Sequence, residues 1–183
     1  MDEVKTSILN EVTPLSERDC FYIVDRRKES FTYPIHCHSD YELNFVLHAP
    51  GVMRVVGDSS EIIGDMDLVL ITGENLEHAW LHNTCVSTEI REITIKFSPG
   101  ICFSSLMGKN QFLSIKHMFE KAHCGLSFPV EAIMKTYSLL ESLTSESKGF
   151  YSVMHFWELL YQLSLVEDAN ALSSTSYAKV EGF

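Results

Sequence analysis

His36-Cys37-His38-Ser39-Asp40-Tyr41-Glu42, running on into Leu43-Asn44-Phe45-Val46-Leu47, is the stretch that decides how this chain is read. Its first part has the pattern His-x-His-x-x-x-Glu, and its second part alternates like a strand. Residues of equal parity on a strand point to one face. His36, His38 and Glu42 share parity, so all three can enter one cavity. Cys37 has the opposite parity and is expected to point away. A fourth candidate, His78, follows in Gly73-Glu74-Asn75-Leu76-Glu77-His78. Three imidazoles and a carboxylate make a plausible metal set. They also suit the polar lining of a small-molecule pocket.

Around this stretch the chain reads as many short strands with turn punctuation. The runs are Phe21-Tyr22-Ile23-Val24, Tyr41 to Leu47, Val52 to Val56, Glu61-Ile62-Ile63, Asp67 to Ile71 and Ile90 to Phe97. Turns fall at Gly57-Asp58-Ser59-Ser60 and Gly64-Asp65. Such spacing predicts a sandwich or small barrel. Within Tyr41 to Leu47, Leu43, Phe45 and Leu47 share one face and Glu42, Asn44 and Val46 the other. An interior carrying His, His, Glu and Asn is not an ordinary dry core, because buried polar groups need partners. A metal, a bound polar ligand, or a self-satisfied hydrogen-bond cluster with water would each supply them.

After Pro99-Gly100 the apolar period changes from two to about 3.6. Helices are expected over Phe112 to Ala122, Val130 to Leu143 and Phe150 to Val166, with Gly125 as a stop and Pro129 in a first turn. The last helix is apolar over more than half its circumference, so it should be buried between two surfaces. From Glu167 the chain turns polar, with Ser173-Ser174-Thr175-Ser176, as a linker does.

The 183 residues suffice for one domain with an appendage, and 45% are apolar. The formal net charge is −11 and Lys and Arg form no basic stripe, so this segment is not expected to bind nucleic acid itself. No apolar run is long enough for a membrane span, and the acidic start Met1-Asp2-Glu3 does not resemble a signal peptide. Cys20, Cys37, Cys85, Cys102 and Cys124 are odd in number and irregularly spaced, which suits a reducing cytoplasm rather than a disulfide framework.

His36-x-His38-x-x-x-Glu42, then Gly64-Asp65-x-Asp67-Leu68-Val69-Leu70-Ile71, then His78-x-Trp80, resembles the two boxes of the cupin fold. The closer resemblance is to the sensor cupin of AraC-type transcriptional regulators. It is carried by Tyr41-Glu42-Leu43, Gly64 to Ile71, His78-Ala79-Trp80, the strand Arg91 to Phe97 and the helices after it. It covers roughly residues 20 to 170. The resemblance implies a mainly β chain: a cupin-like double-stranded β-helix, or jelly-roll barrel, followed by an α-helical segment. Residues 1–20 would be a lead-in, 21–100 the barrel, 108–167 a helical dimerisation segment, and 168–183 the start of a linker to a DNA-binding domain this chain does not include.

The same resemblance implies a cytoplasmic effector-sensing domain and not an enzyme. It would bind a small molecule, a sugar or another metabolite, and form a homodimer through the C-terminal helices. DNA would be reached only through the further domain, and no membrane is involved. The expected pocket residues are His36, His38, Glu42, Asn44, Arg54, His78 and Trp80. No cofactor is required, but His36, His38, Glu42 and His78 would be the ligands of a divalent metal. The chain departs from the wider cupin pattern by lacking a proline before His78 and by placing a glycine late, at Gly51. These departures weigh against a catalytic metal site. The competing readings are a metal-dependent cupin dioxygenase or isomerase and a stand-alone metabolite-binding cupin.

Overall fold

A computed structural model describes residues 8–145 and 149–175. The strands are β1 (Leu9–Asn10), β2 (Tyr22–Lys28), β3 (His36–Cys37), β4 (Tyr41–Leu47), β5 (Met53–Val56), β6 (Ser59–Ile62), β7 (Met66–Ile71), β8 (His78–Leu81), β9 (Ile90–Phe97), β10 (Leu126–Ser127) and β11 (Asn170–Ala171). The helices are α1 (Leu113–Lys121), α2 (Val130–Ser145) and α3 (Phe150–Ser164).

The strand pairing is nested. β5 pairs with β6, β4 with β7, β3 with β8 and β2 with β9, all antiparallel. Successive pairs alternate between a five-stranded sheet, β1-β3-β8-β5-β6, and a six-stranded sheet, β11-β10-β7-β4-β9-β2. The chain is thus one long hairpin, turned at Gly57-Asp58 and wound through two facing sheets. That winding is the double-stranded β-helix, or jelly roll, and the fold is mainly β with an appended helical layer, as the resemblance implied.

Strand alternation builds two cores from one sheet. Leu43, Phe45, Leu68, Leu70, Ile93, Ile95 and Phe97 face outward and are covered by α1 to α3, through residues such as Ile133, Leu140, Phe156 and Leu160. Val46, Val52, Val56, Val69, Ile71, Trp80 and Ile90 face inward, between the sheets. The residues that point away from the barrel are therefore not solvent-facing. Each large apolar side chain so buried contributes about 1.5–3 kcal/mol.

The helices fall close to their expected places. The Pro129 carbonyl accepts from Ala132 and Ile133, which opens α2. Gly125, at φ +71°, ends the turn after α1. Three short 3-10 turns between Pro99 and Phe112 join the sheet to α1 and carry no clear period in sequence.

Two terminal stretches join the barrel. Within the expected lead-in, β1 lies parallel to β3. Within the expected linker, β11 pairs with β10, Ser173 is buried, and Ser173 and Ser174 hydrogen-bond to Asp58. The start of that stretch is thus strapped onto the hairpin tip, and residues 176–183 lie outside the described residues.

Candidate functional site

Parity and register bring the four predicted ligands together. His36 on β3 stands opposite His78 on β8. Glu42 opens the inward face of β4, and His38 lies just before it in the chain. The ligand atoms of His36, His38, Glu42 and His78 lie within 4.8 Å of one another, and all four residues are buried. Donors held tetrahedrally by one ion at about 2.0–2.2 Å stand roughly 3.3–3.6 Å apart, so the wider pairs here would close in around an ion.

Backbone carbonyls fix the three rings. The Nδ1 atoms meet the carbonyls of Pro34 at 2.9 Å (His36), Asp40 at 2.8 Å (His38) and Leu76 at 2.7 Å (His78). A carbonyl only accepts, so each Nδ1 carries the proton. Each Nε2 is thereby turned toward the cluster, an orientation common among metal-bound histidines. His38 Nε2 lies 2.8 Å from Glu42 Oε2. A lone pair facing a carboxylate oxygen at that distance requires a second proton on the ring or a cation among the four residues. His78 Nε2 is buried with no hydrogen-bond partner and stands 3.8 Å from Glu42 Oε2. Burial, and then the charge of His78, push His36 down to about 4, so it is neutral at pH 7. Burial would raise the Glu42 carboxyl, but His38 and His78 outweigh it and hold Glu42 well below the usual carboxylate range. A carboxylate, the neutral His36 imidazole and the buried, unpartnered His78 Nε2 form a donor set that fits a divalent cation.

The cluster opens onto a cavity of about 380 Å³ between the sheets. His36, Glu42, Asn44 and Trp80 line it, together with Glu11, Tyr33, Glu92, Thr94 and Lys96. Its volume is in the range of small-molecule sites. Asn44 Oδ1 accepts from Thr94 at 2.7 Å, which leaves the buried Asn44 Nδ2 without a partner. Lys96 is buried too, hydrogen-bonded to Glu11 and 3.6 Å from Glu42. Burial raises the Glu92 carboxyl against the attraction of Lys28.

Of the seven expected pocket residues, six gather at the cluster or the cavity, and Arg54 does not. Arg54 does turn inward, but its guanidinium is ion-paired to Asp67 and Glu61. Asp67 also accepts from Trp80 Nε1 at 3.0 Å. Register explains this, because Arg54 sits between Trp80 on β8 and Glu61 on β6. Its charge is spent inside the fold.

Glu92, Thr94 and Lys96 line the cavity without being among the expected pocket residues. Their signal was present: they alternate with Ile93, Ile95 and Phe97 on β9, so they had to face the barrel interior. Glu11 had no comparable signal, since it follows a strand of two residues in a polar stretch.

No protein-family model matches the chain, and no curated protein does. Among solved structures, the chain is similar to apo ToxT from Vibrio cholerae at 12% identity and TM-score 0.49, over 80% of this chain and 55% of that one. It is similar to unsaturated-fatty-acid-bound ToxT at 14% identity and TM-score 0.47, over 78% and 52%. A salicylate 1,2-dioxygenase variant from Pseudoaminobacter salicylatoxidans matches at 22% identity and TM-score 0.35, over 49% and 24%. The chain therefore spans between about a quarter and somewhat over half of these proteins' lengths. No helix among the described residues is long and apolar enough to cross a membrane.

Proposed function

We propose that this chain is the effector-sensing and dimerisation domain of an AraC-type transcriptional regulator, binding a small molecule in its barrel without turning it over. The carrying observation is the polar cavity, lined by charged side chains and closed by the His36–His38–Glu42–His78 cluster. Unpaired buried donors there gain partners when a polar molecule enters.

β9 gives the reading a route for signal. Its even-numbered residues Glu92, Thr94 and Lys96 line the cavity. Its odd-numbered Arg91 reaches out to Asp25 on β2 and to Glu141 and Tyr137 on α2. A shift of β9 on binding would be felt directly by α2. Sensing needs such an element, one whose two arrangements differ in affinity for the effector.

The donor arrangement favours a divalent cation as part of the same site. His36, His38, Glu42 and His78 would hold it, and it would supply a positive charge and open positions for a polar effector. The protein's own part is to fix the three rings through Pro34, Asp40 and Leu76.

A metabolite library screened by thermal shift tests the reading. Compounds that stabilise the native chain should fail on a cavity-filling Thr94→Phe variant. Sedimentation should show a dimer at micromolar concentration. Stabilisation that survives the filled cavity, or steady conversion of a compound to product, would count against it.

A further inference from the structure

Resting on the reading of the barrel as an effector site, we propose that the effector carries a carboxylate, and that Glu11 holds the place of that carboxylate until the effector displaces it.

Lys96 has 6% of its side chain exposed, so its ammonium needs an anion close by. Glu42 stands 3.6 Å away but is engaged with His38 at 2.8 Å. Glu11 supplies the direct hydrogen bond to Lys96, and its Oε2 lies 3.7 Å from His36 Nε2. Glu11 therefore puts a carboxylate inside the cavity, at the edge of the four-residue cluster.

The segment that delivers it is weakly held. β1 pairs with β3 over two residues, Leu9 with His36 and Asn10 with Cys37, and one more bond runs from Glu11 N to the Cys37 carbonyl at 2.9 Å. Ile8 and Leu9 are exposed at 43% and 42%, so the segment buries little apolar surface to keep it in place. Few buried contacts mean a low free energy of local opening.

A second observation gives the same ligand chemistry. Asn44 is 2% exposed, lines the cavity, and has a free Nδ2–H donor. β4 and β9 place it diagonally next to Lys96, because Asn44 pairs with Thr94 and Glu42 with Lys96. The register thus puts an ammonium and an amide donor on neighbouring positions of one inner face, and Glu11 bonds only the ammonium. An external carboxylate has two oxygens and satisfies both. Phe31, Trp80, Ala79 and Val24 line the rest of the cavity and suit an apolar body.

Calorimetric titration of the full chain with benzoate and octanoate, and with their neutral amides, tests this. Glu11→Ala should bind the carboxylates about tenfold tighter or more, since removing an internal competitor raises the competent fraction. The amides should gain nothing. Glu11→Ala/Lys96→Met should lose the gain. Should Glu11→Ala fold poorly with Lys96 unpaired, hydrogen exchange on the native chain gives the same answer: saturating benzoate should expose the Glu11 amide. Equal carboxylate affinity in native and Glu11→Ala chains, or an unchanged Glu11 amide, overturns the proposal. Amides that bind while carboxylates do not would leave the barrel a small-molecule site and remove the Glu11 role. No binding by any probe to any variant would overturn the carboxylate proposal and leave the barrel reading to the library screen.

Discussion

Arg91 on β9 and Glu141 on α2 are hydrogen-bonded to each other, while the next residue along β9, Glu92, faces the cavity. The inner lining and the helical layer are thus joined by one strand. Arg91→Met should loosen α2 and leave β4 unaffected. Hydrogen exchange should quicken over residues 137–145 and stay slow in the β4–β7 ladder. Unchanged exchange in α2 would show that Arg91 does not hold the two layers together.

The other carboxylate on Arg91 sets a pH dependence. The hydrogen bond from Arg91 lowers Asp25 from its ordinary value of 3.8, against the opposing effect of burial. A depressed folded-state pKa gives stability that is present above the unfolded value and lost as pH falls through the folded one. Native chain and Asp25→Asn should therefore differ most in stability above the ordinary carboxylate range and converge as pH falls below it. Urea unfolding across that range gives the comparison, and a constant gap would contradict it.

Arg54 and Asp67 are both buried, with 5% and 7% of their side chains exposed. Removing one partner leaves the other charge uncompensated. Arg54→Met should cost about 3–5 kcal/mol in urea unfolding. Arg54→Met/Asp67→Leu should recover much of that loss. A single variant as stable as the native chain would show that the pair carries little.

Gly57 turns the hairpin at φ +55°, and a Cβ there would lie 2.2 Å from Ser173 Oγ. Gly57→Ala should destabilise by about 1–2 kcal/mol from the backbone alone. It should also release the strap at Ser173, read as faster proteolysis after Ala171. Equal proteolysis would show that the strap docks without the space at Gly57.

The cluster should take up one divalent ion per chain, measured by elemental analysis after zinc loading and desalting. His36→Ala or His78→Ala should weaken uptake by at least about 10–100-fold, the loss that follows even from an outer partner's removal. Uptake should fall at lower pH, because protons compete for the ring nitrogens. A native chain that binds no ion would leave the four residues as a hydrogen-bond cluster lining the pocket. His36→Ala/His38→Ala should then still fold, with altered effector binding.

Much of this arrangement was legible in the sequence, and the reasons are physical. A period of two placed His36, His38 and Glu42 on one face, and strand pairing brought His78 opposite His36. The switch to a 3.6 period after Pro99 marked the helices. Arg54 misled because parity gives the face of a strand but not the neighbour reached across two sheets. Glu11 stayed hidden because its place depends on a two-residue parallel pairing, with no local period to announce it. The strap at Ser173 and Ser174 read as a linker because its partner, Asp58, lies over a hundred residues earlier.

Whether the barrel senses a small molecule and passes the event to the helices is read by hydrogen exchange across the chain with and without the tightest library compound. Slower exchange in β4 and β9 is expected together with a changed rate in α2 near Tyr137 and Glu141. Protection confined to the cavity lining, with α2 and α3 unmoved, would contradict it and leave a binding barrel that signals nothing.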